Sequence, residues 1–261
     1  LDVHVLSVGT STIRNYCKKK PEACPKQLVA RDWTPEIDAE LRDMLKDKLC
    51  YFINDVVQYI SSDPKAASAE LNSFLSAVED LYSEDKEVKV VLLCSDTFAG
   101  EISCSAIKMY LDSKGYSTEA LTVKDLGKPL AVRFYNGIAN LACTMRYVME
   151  QNKDHELYVS PTGGFKPESA FTYLTAMLSP KLKAVYYIRE MSSELVLLPV
   201  LPLSAMFDVK FEVPDIYKEK YGVNVEEVKK KLEMAIKEGR IDTSCWRPLS
   251  RELRECVTSR K

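Results

Sequence analysis

Short apolar runs rich in β-branched residues alternate along this chain with longer stretches whose apolar residues recur every three to four positions. Residues 3–8, 88–94, 117–123, 156–160 and 182–188 read as strands, and 88–94 has the near-continuous apolar character of a strand buried on both faces. Helical spacing covers 34–60, 64–82, 101–113, 130–150 and 169–178. Ile37, Leu41, Leu45 and Leu49 mark the face of the first helix; Leu71, Phe74, Leu75, Val78 and Leu81 mark that of the second. Ser62-Asp63-Pro64 separates the two, with Asp63 suited to an N-cap. Strands alternating with helices predict an α/β fold with a doubly wound, mostly parallel sheet. Residues 194–198 read as a strand returning at an antiparallel edge, and the lysine-rich stretch after Gly9-Thr10-Ser11-Thr12, through about Asp32, reads as a polar loop.

Beyond Pro202 the rhythm changes. A turn begins at Pro214, residues 224–238 form a charged helix with Val225, Val228, Leu232 and Ile236 on one face, and a short helical pattern ends near Val257. The chain therefore divides into a main domain over 1–205 and a small helical C-terminal appendage over 206–261. Lys229-Lys230-Lys231 shares its helix with Glu226, Glu227 and Glu233, so a solvated face explains the charges better than a DNA-reading one.

Of the 261 residues 46% are hydrophobic and 28% charged, enough to bury one sizeable core, and the formal net charge is −2. That balance argues against a general coating protein for long nucleic acid but leaves room for one local positive pocket. No apolar run approaches a membrane span, and the chain opens directly on a strand pattern; no membrane association and no signal peptide are expected, which suits a cytoplasmic protein. The eight cysteines contain no Cys-x-x-Cys pair, and with only His4 and His155 available a metal site is not expected. Cys50, Cys94 and Cys143 read as small core residues; Cys17 and Cys24 could pair, although a reducing compartment favours free thiols.

The chemistry-bearing stretch is Ser160-Pro161-Thr162-Gly163-Gly164-Phe165-Lys166-Pro167-Glu168, set between a strand and a helix. At such a junction the first helical amides lack intrahelical partners and the helix dipole is positive. Paired glycines let a phosphate approach the backbone, and Lys166 adds a full charge. Two more hydroxyl-rich loops follow strands, Gly9-Thr10-Ser11-Thr12 and Ser95-Asp96-Thr97. Three such loops on one carboxyl edge predict a polyanion site, with Gly9, Thr10, Thr12, Ser95, Asp96, Thr97, Thr162, Gly163, Gly164 and Phe165 as ligand-binding residues. The glycine spacing fits neither a P-loop nor a dinucleotide fingerprint.

Together with Val185-Tyr186-Tyr187-Ile188, these loops resemble the CARF (CRISPR-associated Rossmann fold) proteins over roughly residues 1 to 200, and most closely the stand-alone ring nucleases. The resemblance implies a Rossmann-like sheet, a homodimer, and binding of the second messenger cyclic tetra-adenylate. It also implies metal-independent cleavage of that ring, with Ser11 and Lys166 as catalytic residues and no cofactor. In RNA the 2′-hydroxyl can attack its own adjacent phosphate, so a protein need only align the atoms and neutralise charge. The Arg-x-x-x-x-His motif of effector ribonucleases in this family is absent from the sequence. A non-cleaving sensor or transcriptional regulator uses the same pocket and is the alternative; an unrelated enzyme of phosphorylated metabolites is a third.

Overall fold

The computed structural model describes residues 1–29, 34–82, 86–127, 131–164, 166–188, 194–201, 222 and 224–258. Among the described residues seven strands form one sheet: β1 (Asp2–Val8), β2 (Val88–Ser95), β3 (Ser117–Val123), β4 (Glu156–Ser160), β5 (Leu182–Ile188), β6 (Leu195–Leu198) and β7 (Trp246–Pro248), in the order β6-β5-β4-β1-β2-β3-β7. The five inner strands run parallel, and β6 and β7 pair antiparallel at the two edges. The fold is thus the expected mixed α/β, Rossmann-like arrangement.

Side chains alternate across each strand, and both faces are covered. Leu6, Val8, Val90, Leu92 and Tyr186 enter a core shared with α1 (Ser11–Lys19), α2 (Pro35–Leu45), α3 (Leu49–Ser62), α5 (Ala69–Leu81) and α6 (Phe98–Ser113). The short α4 (Pro64–Ala67) leads into α5, and Asp63 caps it by accepting from Ala66 N at 3.1 Å. Val3, Val5, Val91, Leu93, Val159 and Val185 enter the opposite core, which packs against α7 (Ala131–Gln151) and α8 (Lys166–Ala176). A third cluster joins Ala139, Ala142 and Cys143 of α7 to Val228, Leu232 and Ala235 of α9 (Val225–Ile236).

Three expectations change. The lysine-rich stretch after Gly9 is not all loop: Ser11–Lys19 is helix α1, whose buried residues Thr12, Ile13, Tyr16 and Cys17 form a narrow stripe between exposed cations. The single helix expected over 34–60 is two, with a turn between Leu45 and Leu49. Six of the cysteines are paired: Cys17–Cys24, Cys50–Cys256 and Cys94–Cys104, with Cα separations of 5.5, 4.9 and 6.0 Å, within the span a disulfide bridges. Cys50 is exposed at the start of α3 rather than a core residue, whereas Cys94 and Cys143 are buried.

Residues 246–258 return to the sheet. β7 pairs with β3, and α10 (Arg251–Thr258) places Leu253 and Cys256 in the first core. A wholly buried carboxylate, Glu101 of α6, anchors this return: it meets Arg42 at 3.1 Å, Arg247 at 2.7 Å and the Ser250 amide at 3.2 Å.

The first core also holds a polar chain around His4, which is fully buried and stacked on Tyr158 at 4.8 Å. Tyr82 donates its hydroxyl hydrogen to Asp2 at 2.8 Å, so its oxygen accepts from His4 Nε2 at 2.8 Å. His4 Nδ1 in turn accepts from the Tyr186 hydroxyl at 2.9 Å. The neutral Nε2–H tautomer satisfies every member of this chain. Burial lowers the His4 pKa to about 3.

Candidate functional site

From β1 the chain builds outward through β2 to β3, then crosses back to lay β4 on the other side of β1. Strand order therefore reverses between β1 and β4, the position where open α/β sheets form a crevice beyond their carboxyl ends. Gly9 and Thr10 lead from β1 into α1, and residues 161–164 lead from β4 toward α8. Ser11 is the first residue of α1 and Lys166 the first of α8. The two loops are in direct contact. A Cβ built on Gly9 would lie 2.8 Å from Gly164 N, and one on Gly163 would lie 2.7 Å from Gly9 N. Glycine at 163 is what allows this approach. Gly164 adopts φ +95°, which favours glycine, and lies against the Glu168 carboxylate.

Beneath the loops sits Glu70, at the start of α5 and 1% exposed. Its Oε1 accepts from Gly9 N at 2.9 Å; its Oε2 accepts from Ser11 Oγ and Ser68 Oγ, each at 2.8 Å. Ser68 in turn caps α5, accepting from Leu71 N at 3.3 Å. The Gly9 amide is thus committed inward to a carboxylate rather than held free for a phosphate. Beside this group Ser73, Ser160 and Thr162 form a hydroxyl triangle with sides of 2.8, 2.8 and 3.1 Å. These bonds fix the 162 end of the loop on α5.

The outer side differs in character. Lys166 and Gly164 are exposed and Ser11 is partly exposed. Helix α1 has no side-chain cap and no acidic residue in its first turn, so its leading amides present the positive end of the dipole. Cation, helix terminus and hydroxyls at one sheet edge suit an anion bearing hydroxyl groups.

The remaining expected residues fall elsewhere. Thr12 is wholly buried, and its hydroxyl has no hydrogen-bond partner among the described residues. Phe165 lies outside the described residues. Ser95, Asp96 and Thr97 sit at the end of β2, on the same edge, but their hydrogen bonds turn inward. Thr97 caps α6 through Gly100 N at 3.1 Å and contacts Ser95 Oγ at 3.1 Å, while Asp96 accepts from Asp125 N at 2.9 Å. Asp38 also accepts from Phe98 N at 3.1 Å, occupying the start of α6, and burial raises its pKa despite that bond. The first two loops and Glu70 form one compact group; the third loop serves helix α6 and the turn over residues 125–127.

Glu70 and Glu168 are what sequence reasoning missed. Their signal was present: Glu70 lies on the same stripe as Phe74, Ala77 and Leu81, and a lone acid on an apolar face is a buried acid with partners.

A Rossmann-like sheet with a glycine-rich junction at its switch point places these residues where open α/β folds form their ligand crevices. The chain matches the family described as CRISPR-associated protein (Cas_APE2256) over residues 65–201. It belongs to that CRISPR-associated family. The match includes Ser68, Glu70, the 161–164 loop and Lys166. Among the described residues no helix is long and apolar enough to cross a membrane.

Proposed function

We propose that this protein binds cyclic tetra-adenylate across a two-fold homodimer and opens the ring, acting as a ring nuclease of CRISPR defence. The observation that carries this reading is the meeting of the Gly9–Thr10 and 161–164 turns at the switch point, with Ser11 and Lys166 heading the two helices that leave it. Membership of a CRISPR-associated family supports the biological setting.

The chemistry is sparse because the substrate carries its own nucleophile. The 2′-hydroxyl attacks the adjacent phosphorus, the 5′-oxygen leaves, and the product ends in a 2′,3′-cyclic phosphate. Lys166 stabilises charge on the phosphorane, and the leading amides of α1 receive phosphate oxygens; Pro167, second in α8, has no N–H to offer. Ser11 holds the attacking group in line. A ring of four adenylates has the symmetry of a dimer that presents the same loops twice.

Incubation of the purified chain with cyclic tetra-adenylate in EDTA, with chromatography of the products, tests the reading. Linear fragments ending in 2′,3′-cyclic phosphate are expected. Tight binding that leaves the ring intact over hours would instead make the protein a sensor, and no binding would end the proposal.

A further inference from the structure

We infer that Glu70 is a positioning residue that fixes Ser11 as a hydrogen-bond acceptor for the attacking 2′-hydroxyl and receives that group's proton through the serine. This deepens the ring-cleaving reading and rests on it.

The argument is one of donors and acceptors. Three hydrogens converge on the Glu70 carboxylate: Gly9 N–H on Oε1, and the Ser11 and Ser68 hydroxyls on Oε2. An ionised carboxylate only accepts, and a serine hydroxyl has one hydrogen and two lone pairs. The hydrogen of Ser11 is therefore spent inward, at 2.8 Å, on a group that is 1% exposed. Ser68 cannot release it, because Ser68 donates to the same oxygen while accepting from Leu71 N. What Ser11 offers a ligand is its lone pairs alone. A phosphate oxygen, itself only an acceptor, finds no hydrogen there. A ribose hydroxyl finds an acceptor. Ser11 is thus matched to the 2′-hydroxyl, while phosphate falls to Lys166 and the helix amides.

The same bonds define the proton's path. As the 2′-oxygen bonds to phosphorus and the bond from phosphorus to the 5′-oxygen breaks, the 2′-proton passes to Ser11 Oγ. The serine's own proton passes to Glu70 Oε2. The 5′-oxygen takes a proton from solvent, and Glu70 later returns one, so the ring opens with protons balanced and no water added.

The test uses the full chain and two probes, cyclic tetra-adenylate and the same ring built from 2′-deoxyadenosine. Glutamine at position 70 has one acceptor oxygen and an amide donor, so it cannot accept from Gly9 and both serines together. Glu70→Gln should lower the single-turnover rate at saturating ring by about 10²-fold, the scale of general-base assistance, with its Kd for the deoxy ring unchanged. In a Ser11→Ala background the same substitution should cost no further rate. Ser11→Ala should weaken binding of the ribose ring but not of the deoxy ring. Glu70→Gln cleaving at the wild-type rate overturns the role of Glu70, and Ser11→Ala weakening both rings equally overturns the acceptor assignment. If Glu70→Gln fails to fold, the Ser11→Ala comparison on the two rings still decides. A wild-type protein that leaves the ribose ring intact overturns the cleavage reading, and the proton path with it.

Discussion

Replacing Gly163 with alanine perturbs the contact between the two loops and the Glu70 carboxylate beneath them. An ideal Cβ there would lie 2.5 Å from Glu70 Oε1, 2.7 Å from Gly9 N, and closer still to the Ser7 carbonyl oxygen. Two of these are main-chain atoms at the end of β1, and the third belongs to a carboxylate held by three hydrogen bonds. None can retreat as the free end of a side chain would. The φ of Gly163 lies outside the left-handed region, so backbone strain adds nothing. Gly→Ala ordinarily stabilises by about 0.4–1 kcal/mol through the unfolded chain. Overpacking costs about 1–3 kcal/mol, and displacing Glu70 from Gly9 or Ser11 adds about 1 kcal/mol for each bond lost. The net loss expected is about 2–3 kcal/mol, which at roughly 2–4 °C per kcal/mol lowers the melting temperature by roughly 4–12 °C. Circular dichroism melts of the two proteins measure it. A Gly163→Ala protein melting within about a degree of wild type would refute the packing argument.

Lys166→Ala should leave the melting temperature unchanged, because the side chain is exposed, yet reduce ring cleavage on the order of 10²–10³-fold in single-turnover assays. Because burial lowers the His4 pKa from 6.5 to about 3, the stability His4 contributes is complete above pH 6.5 and is lost as pH falls toward 3. Unfolding free energies from urea titrations between pH 7 and 4 should show that slope, up to about 1.4 kcal/mol per pH unit, and His4→Gln should flatten it; equal slopes exclude it. Glu101→Ala strands the partly exposed Arg42 and Arg247, and solvent recovered by the arginines keeps the expected cost at about 3 kcal/mol, the low end for breaking a buried pair. Limited proteolysis should then cut first near residues 247–250; an unchanged digestion pattern counts against the anchor.

The parallel core was legible because its central strands, β1 and β2, are buried on both faces and set the rhythm for the rest. Residues 117–123, 156–160 and 182–188 are strands with the bounds expected from the alternating pattern of strands and helices. Helix α1 was not, since Arg14, Asn15, Lys18 and Lys19 outweigh a narrow stripe of Thr12, Ile13, Tyr16 and Cys17 in which only Ile13 is a large aliphatic residue. β7 was hidden for a different reason: three residues containing Pro248 carry no periodicity, and their pairing is set by a distant strand. The site divides in the same way. Gly9, Ser11, Gly163, Gly164 and Lys166 announce themselves as turn and charge chemistry at strand ends. Glu70 comes from a helix some sixty positions away from the serine it holds, and only the folded chain brings the two within bonding distance.

The pairing of β7 with β3 has a consequence for the nascent chain. Leu121, Thr122 and Val123 meet Pro248, Arg247 and Trp246, and the Cys50–Cys256 bond spans a sequence separation of 206. At a synthesis rate of about 5–20 residues per second, the β3 edge waits roughly 6–25 s for its partner after it emerges. Throughout that interval the growing protein exposes an unpaired strand whose neighbours are already able to pair, which is the condition for edge-to-edge association between chains. Ser117, Thr118 and Glu119 lie on the part of that strand which β7 never covers, and their hydroxyls and charge disfavour edge-to-edge pairing there in the growing and the finished protein alike.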